Sequence, residues 1–151
     1  MRLARIGGLA KMFGRIVTYL ESRRIDIVKQ HLFGRLLDIG CGPNRLVREY
    51  GDGVGVDMHN WGNVDLIASA ASLPFRDSSF DTVSFVASLN HIPNRDTALL
   101  EAWRVLRPEG RLLITMISPT VSVAWHKILG QNDPDQQERG ELAEGEVWGI
   151  S

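Results

Sequence analysis

At 151 residues, with 44% hydrophobic and 23% charged content, the chain suits one compact unit with its own core. A net charge of −1 excludes a global electrostatic case for nucleic acid. The single cysteine, Cys41, excludes an internal disulfide and a multi-cysteine zinc site.

The start, Met1-Arg2-Leu3-Ala4-Arg5, lacks the continuous apolar core of a signal peptide. No run approaches the length of a membrane span, so a cytoplasmic location without stable membrane insertion is expected. The stretch before Arg35 reads as helix: Ile16, Leu20, Ile27, Val28 and Leu32 recur at roughly helical spacing, and Gly34 is expected to end it. Residues 1–35 are rich in Lys and Arg, opposed by Glu21 and Asp26, whereas residues 130–151 are rich in acids, opposed by Arg139. Both ends read as solvated. The sharper reading has the basic helix meeting an anionic substrate, a membrane surface or the acidic tail.

Leu36-Leu37-Asp38-Ile39-Gly40-Cys41-Gly42 is a short apolar run that ends in a Gly-x-Gly turn. The run reads as a buried strand, and the glycines permit a sharp turn and a close backbone approach to a ligand. A helix follows, with Leu46, Val47 and Tyr50 on one face and Gly51 as its stop. Strand, glycine turn and helix suit a nucleotide-containing cofactor. The dinucleotide fingerprint is incomplete because Arg45 stands at its third glycine, and no Gly-Lys-Ser/Thr completes a P-loop.

Gly53-Val54-Gly55-Val56-Asp57 is a second strand that ends in a carboxylate about 20 residues past the first, where an acid accepts hydrogen bonds from both ribose hydroxyls. Val64–Ile67 is the third strand candidate and Phe80–Val86 the fourth; Arg111–Ile117 is the fifth. Before the fifth, Leu99, Ala102, Trp103 and Leu106 mark one helix face. Asn94 is a candidate cap, Asp96 suits the first turn, and Pro108 is the stop. The alternation implies a parallel sheet whose ligands sit beyond the carboxyl ends of the strands. That rule gathers Gly40, Asp57, Ser69 and Val86 around one crevice.

Taken together, these pieces resemble a class I S-adenosylmethionine-dependent methyltransferase of the small-molecule, type 11-like kind. The resemblance runs from about Arg35 to Ile117. Asp38–Gly42 resembles the family's first motif and Val56-Asp57 its ribose-binding motif. Ser69–Phe75 resembles the adenine-reading segment, Phe80-Asp81 through His91 the fourth strand and the motif after it, and Arg104–Gly110 the turn before the fifth strand. The resemblance implies S-adenosyl-L-methionine as cofactor, held by Asp38, Gly40, Cys41, Gly42, Asp57, Met58, Ser69, Ala70 and Val86. It implies an α/β Rossmann-like three-layer sandwich with a mainly parallel sheet in the order 3-2-1-4-5. Residues 1–151 are then one domain: a helical cap (1–34), a cofactor-binding core (35–117) and a tail (118–151).

Three departures stand out. Ser69 replaces a frequent Asp, so its bond to the adenine amino group lacks charge assistance. Asn44 replaces a small residue late in the glycine loop, where its tolerance of left-handed angles preserves the turn. The tail is too short for the family's last helix and two strands, so a fragment or an uncovered sheet edge is expected, with self-association through that edge.

Methyl transfer is an in-line displacement for which alignment is the main task. His91, just after the fourth strand, could take a proton from a hydroxyl or acidic carbon, or could merely hydrogen-bond the turn at Pro93; no catalytic role is assigned. Asn90-His91-Ile92-Pro93 does not resemble the Asp/Asn-Pro-Pro-aromatic motif that holds planar nitrogens, so a small-molecule acceptor through oxygen or carbon is expected. No metal and no nucleic-acid partner is expected. The alternatives are a cofactor-binding module without turnover and, disfavoured by Arg45, a nicotinamide-dependent oxidoreductase. At Gly40 a β-branched side chain is expected to fill space the cofactor needs.

Overall fold

Each apolar run of the sequence becomes a strand, and together they build one sheet. A computed structural model describes residues 2–116, with side chains from Arg15 onward apart from Val17. In chain order the elements are α1 (Arg2–Lys29), β1 (Leu36–Ile39), α2 (Arg45–Tyr50), β2 (Gly53–Asp57) and β3 (Leu66–Ile67). There follow β4 (Phe80–Val86), a 3-10 turn (Leu89–His91), α3 (Arg95–Val105) and β5 (Leu106–Thr115). The five strands pair in parallel in the order β3-β2-β1-β4-β5, as expected.

Two-residue periodicity divides the core into two layers. Leu37, Ile39, Val83 and Phe85 pack with Ala98, Ala102 and Val105 of α3. On the other face Leu36 packs with Leu46 and Val47 of α2 and with Ile25 and Val28 of α1. The central strands β1 and β4 are therefore buried on both faces, with the polar Asp38, Thr82 and Ser84 enclosed among the apolar residues.

The element ends differ from expectation in instructive ways. α1 ends at Lys29, not at Gly34. Gly34 has φ +56 and serves a close approach instead, since a Cβ there would meet Asp81 Oδ2 at 2.3 Å. α2 ends as expected: Gly51 has φ 91 and its N–H donates to Val47 O at 2.8 Å. β3 is shorter than expected, pairing only through Leu66 and Ile67. Asn94 precedes α3 without a side-chain capping bond. The buried face of α3 runs through Ala98, Ala102 and Val105, while Trp103 is 73% exposed. The helix gives way to strand at Leu106, and Pro108 keeps it from resuming by disfavouring helical angles at Arg107. Residues 107–110 then bow out between the Phe80–Leu106 and Thr82–Arg111 pairs.

Among the described residues β5 has no partner on its outer side, and no helix is long and apolar enough to cross a membrane. The expectations about the tail and self-association fall on residues outside those described.

Candidate functional site

β1 and β2 run side by side and parallel, so the segments leaving their carboxyl ends meet. Gly40 and Cys41 donate their N–H groups to Val56 O at 2.8 and 3.1 Å. The next donor, Gly42 N–H, reaches Asp57 Oδ2 at 2.9 Å. Asp57 Oδ1 accepts from His59 N–H at 2.9 Å. Each carboxylate oxygen thus has one backbone donor and keeps acceptor capacity for another. A half-buried carboxylate held this way offers two acceptors side by side, which suits a vicinal diol.

The two loop glycines do different things. Gly40 has φ +71, and a Cβ there would meet Ser88 Cβ at 2.4 Å. Ser88 is buried, and its Oγ donates to Ile39 O at 2.6 Å. Gly40 therefore makes room for Ser88, which corrects the expectation that it keeps room for the cofactor. Gly42 has φ +52, and a Cβ there would meet nothing within 4 Å. That open side is where a ligand can approach the loop backbone.

Asp38 and Cys41 lie beneath the loop. Asp38 is buried between β1 and β4, where Ser84 Oγ donates to its Oδ1 at 2.6 Å. Burial pushes its carboxyl up to about 7, with the Ser84 bond opposing and the Asp57 charge adding. The Cys41 thiol is pushed up to about 12, by burial first and then by the charges of Asp38, Asp57 and Asp65. It is a neutral, buried filler rather than a nucleophile.

β3 carries the next group to the same end. Ala68 N–H donates to Asp57 O at 3.0 Å, which sets Ser69 just past the tip of β2. Ser69 Oγ accepts from Ala71 N–H at 3.2 Å and retains its own proton to donate. Ala70 is part of the core, and Met58 is 52% exposed beside Asp57. Val86 is half-buried at the end of β4 and packs on the α1/α2 side. In the turn after it, Asn90 Nδ2 lies 3.0 Å from His91 Nε2. The topology thus places the strand-end residues at one end of the sheet. Asp38, Cys41 and Ala70 have buried side chains, whereas Gly42, Asp57, Met58 and Ser69 retain exposed surface.

The methyltransferase domain family matches residues 37–114, a span that holds the glycine loop, Asp57, Ser69 and His91. The chain belongs to this family. A ubiquinone/menaquinone biosynthesis C-methyltransferase UbiE from Hahella chejuensis is 36% identical to this methyltransferase domain over 125 residues, 79% of this chain and 44% of that protein. The methyltransferase GfsG of Streptomyces halstedii is 34% identical over 125 residues, 69% of this chain and 44% of its own. The chain thus spans less than half the length of these curated relatives. Among solved structures, the [4+2]-cyclase SpnF is similar, with a TM-score of 0.56 and 28% identity over 62% of this chain and 44% of that one. An S-adenosylmethionine-dependent methyltransferase from Thermotoga maritima shares the fold, with a TM-score of 0.62 and 22% identity over 82% of this chain and 70% of its own.

The cofactor of the family is S-adenosylmethionine, and the residues present fit it. Gly42 leaves its side of the loop open, Asp57 has spare acceptors, and exposed Met58 stands beside them. Among the described residues no cluster of His, Cys, Asp and Glu suits a metal ion.

Sequence reasoning missed the support of the Ser69–Phe75 segment. Glu101 Oε2 accepts from Leu73 N–H at 2.8 Å. Arg104 Nη1 donates to Phe75 O at 2.8 Å and Nη2 to Leu73 O at 3.0 Å. Arg104 Nε and Nη2 also fork onto Glu101 at 2.6 and 2.8 Å. The sole signal was an acid and a base three residues apart on a helix.

Proposed function

We propose that this domain binds S-adenosylmethionine across the carboxyl ends of β1, β2 and β4 and transfers its methyl group to a small-molecule acceptor, at carbon or oxygen. The observation that carries the reading is the 2.9 Å bond from Gly42 N–H to Asp57 Oδ2, which joins the glycine loop to the carboxylate at the tip of β2. Asp57 accepts the ribose hydroxyls, and the Gly40–Gly42 backbone lies along the amino-acid portion. Ser69 meets the adenine edge, and Met58 covers the adenine face with apolar surface. When bound, the cofactor supplies a methyl group already activated on a sulfonium, so alignment is the main demand on the protein.

Carbon comes first among acceptors because the UbiE relative is a C-methyltransferase. A carbon acceptor has to lose a proton, and His91 stands after β4 with its ring oriented by Asn90. A second reading, cofactor binding without methyl transfer, is favoured by the likeness to a cyclase. Isothermal titration with S-adenosylmethionine, its demethylated product and NAD tests the binding reading. Heat with NAD alone overturns it. Transfer of labelled methyl to phenolic and quinol acceptors separates the two readings, since binding without any labelled product favours the second. With an active acceptor, His91→Ala is expected to lower kcat about 100-fold or more while leaving cofactor affinity unchanged.

A further inference from the structure

Asn44 follows the glycine loop and is fully buried, with φ 60 and ψ 33. Its side chain does not cap α2, although it stands at the cap position. Instead Nδ2 donates to Asn63 O at 3.0 Å and to Asp65 Oδ2 at 2.8 Å. The same Asp65 oxygen accepts Gly55 N–H at 2.8 Å, and Asp65 N–H donates back to Gly55 O at 3.1 Å. One amide thus ties the exit of the glycine loop to β2 and to the segment that leaves it.

Gly55 shows how closely the parts fit. An added Cβ there would fall 2.0 Å from Asn44 Oδ1, and the three nearest atoms it would meet all belong to the Asn44 side chain. Gly55 is without a side chain because Asn44 fills that place. Gly55 also lies two residues before Asp57 on the same strand. The latch therefore joins the loop and the strand that carry Gly42 and Asp57.

We propose that Asn44 is a positioning residue for the cofactor: through Asp65 and Gly55 it sets the distance between the glycine loop and Asp57. The inference rests on the cofactor-binding reading above. Loss of the amide leaves the left-handed turn available to glycine but frees the loop to shift against β2. The two halves of the grip then no longer meet the adenosine and amino-acid portions at once.

The test uses the full chain and titrates S-adenosylhomocysteine by calorimetry, with circular dichroism to establish folding. Wild type is measured first; no binding there sinks the cofactor reading and this inference with it. Given wild-type binding, Asn44→Gly is expected to raise Kd about tenfold, the loss typical of one or two buried hydrogen bonds. Asp57→Ala is expected to cost distinctly less in the Asn44→Gly background than in wild type, because the carboxylate is already misplaced. Additive losses would mean Asn44 supports the fold alone, and an unchanged Kd for Asn44→Gly would remove it from the site altogether. Gly55→Ala gives an independent arm. It is expected to weaken binding in wild type, where the new methyl displaces the amide, and to add nothing to Asn44→Gly. An equal further loss in both backgrounds would overturn the latch.

Discussion

Ser88 occupies the place that a side chain on Gly40 would take, with its Cβ 2.4 Å from the ideal Cβ position. The relationship crosses from the end of β1 to the segment after β4, so the first glycine of the loop answers to a residue far along the chain. The second, Gly42, faces open space.

The two glycines are therefore separable by mutation. Gly40→Ala combines a left-handed alanine with a clash at Ser88 and is expected to destabilise the fold by about 2–4 kcal/mol. Gly42→Ala bears only the backbone strain, about 1 kcal/mol, yet is expected to weaken cofactor binding because its methyl enters the open side. Urea denaturation and titration calorimetry on both variants check this. Equal stability losses with equal affinity losses would contradict the division.

Asp57→Ala removes both spare acceptors and leaves the N–H groups of Gly42 and His59 without their carboxylate. The expected loss of cofactor affinity is about 1.5–3 kcal/mol, the scale of a charge-assisted hydrogen-bond pair. Asp57→Asn should retain more affinity than the alanine, since one acceptor oxygen survives. Titration with S-adenosylhomocysteine decides it.

Asp38 gives the stability a particular pH dependence. Its folded pKa is pushed up to about 7 by burial, above the roughly 3.9 of an unfolded aspartate. Between these values the folded state holds a proton that the unfolded chain has released, so this group's contribution falls as pH rises from about 4 to about 7 and is constant above. Asp38→Asn is expected to flatten that slope. Ser84→Ala should extend it upward in pH, because the Ser84 hydroxyl stabilises the charged form. Denaturant midpoints measured across pH 4–8 provide the check.

Glu101 behaves oppositely. The Arg104 side chain, first among the causes, holds its carboxyl down at about 2. The stabilisation is present above the ordinary glutamate value and is lost as pH falls toward about 2. Its side chain keeps 20% exposure and Arg104 keeps 31%, so solvent screens the pair. Arg104→Ala also releases the carbonyls of Leu73 and Phe75. A loss of about 2 kcal/mol is expected in urea denaturation at neutral pH. Cofactor affinity should drop as well, because the segment after Ser69 loses its anchor. A variant with wild-type stability and affinity would make the clamp incidental.

The strands and the glycine turn were legible in the sequence because they follow from local pattern, whereas the strand order came from the family resemblance. Buried parallel strands appear as short apolar runs, a left-handed turn demands glycine or asparagine, and an acid at a strand tip follows the first turn at a fixed distance. Helix faces were less legible. Periodicity marked Trp103 as inward, whereas the sheet takes only the small Ala98 and Ala102 with Val105, and the indole stays outside. Gly34 looked like a helix stop because local pattern cannot show that Asp81 needs its space.

Residue types and their order along the chain determined the strand, glycine turn and helix on which the proposed cofactor loop rests, and that Asp57 and Ser69 stand at strand ends. Only the tertiary structure decided which groups support them: Ser88 behind Gly40, Ser84 on Asp38, Asp65 between Asn44 and Gly55, and Arg104 beneath Leu73 and Phe75. The physical reason is range. Turn and strand preferences act over a few residues of one segment and leave a mark in its composition. A hydrogen bond or a steric contact between segments depends on where the packed sheet places them.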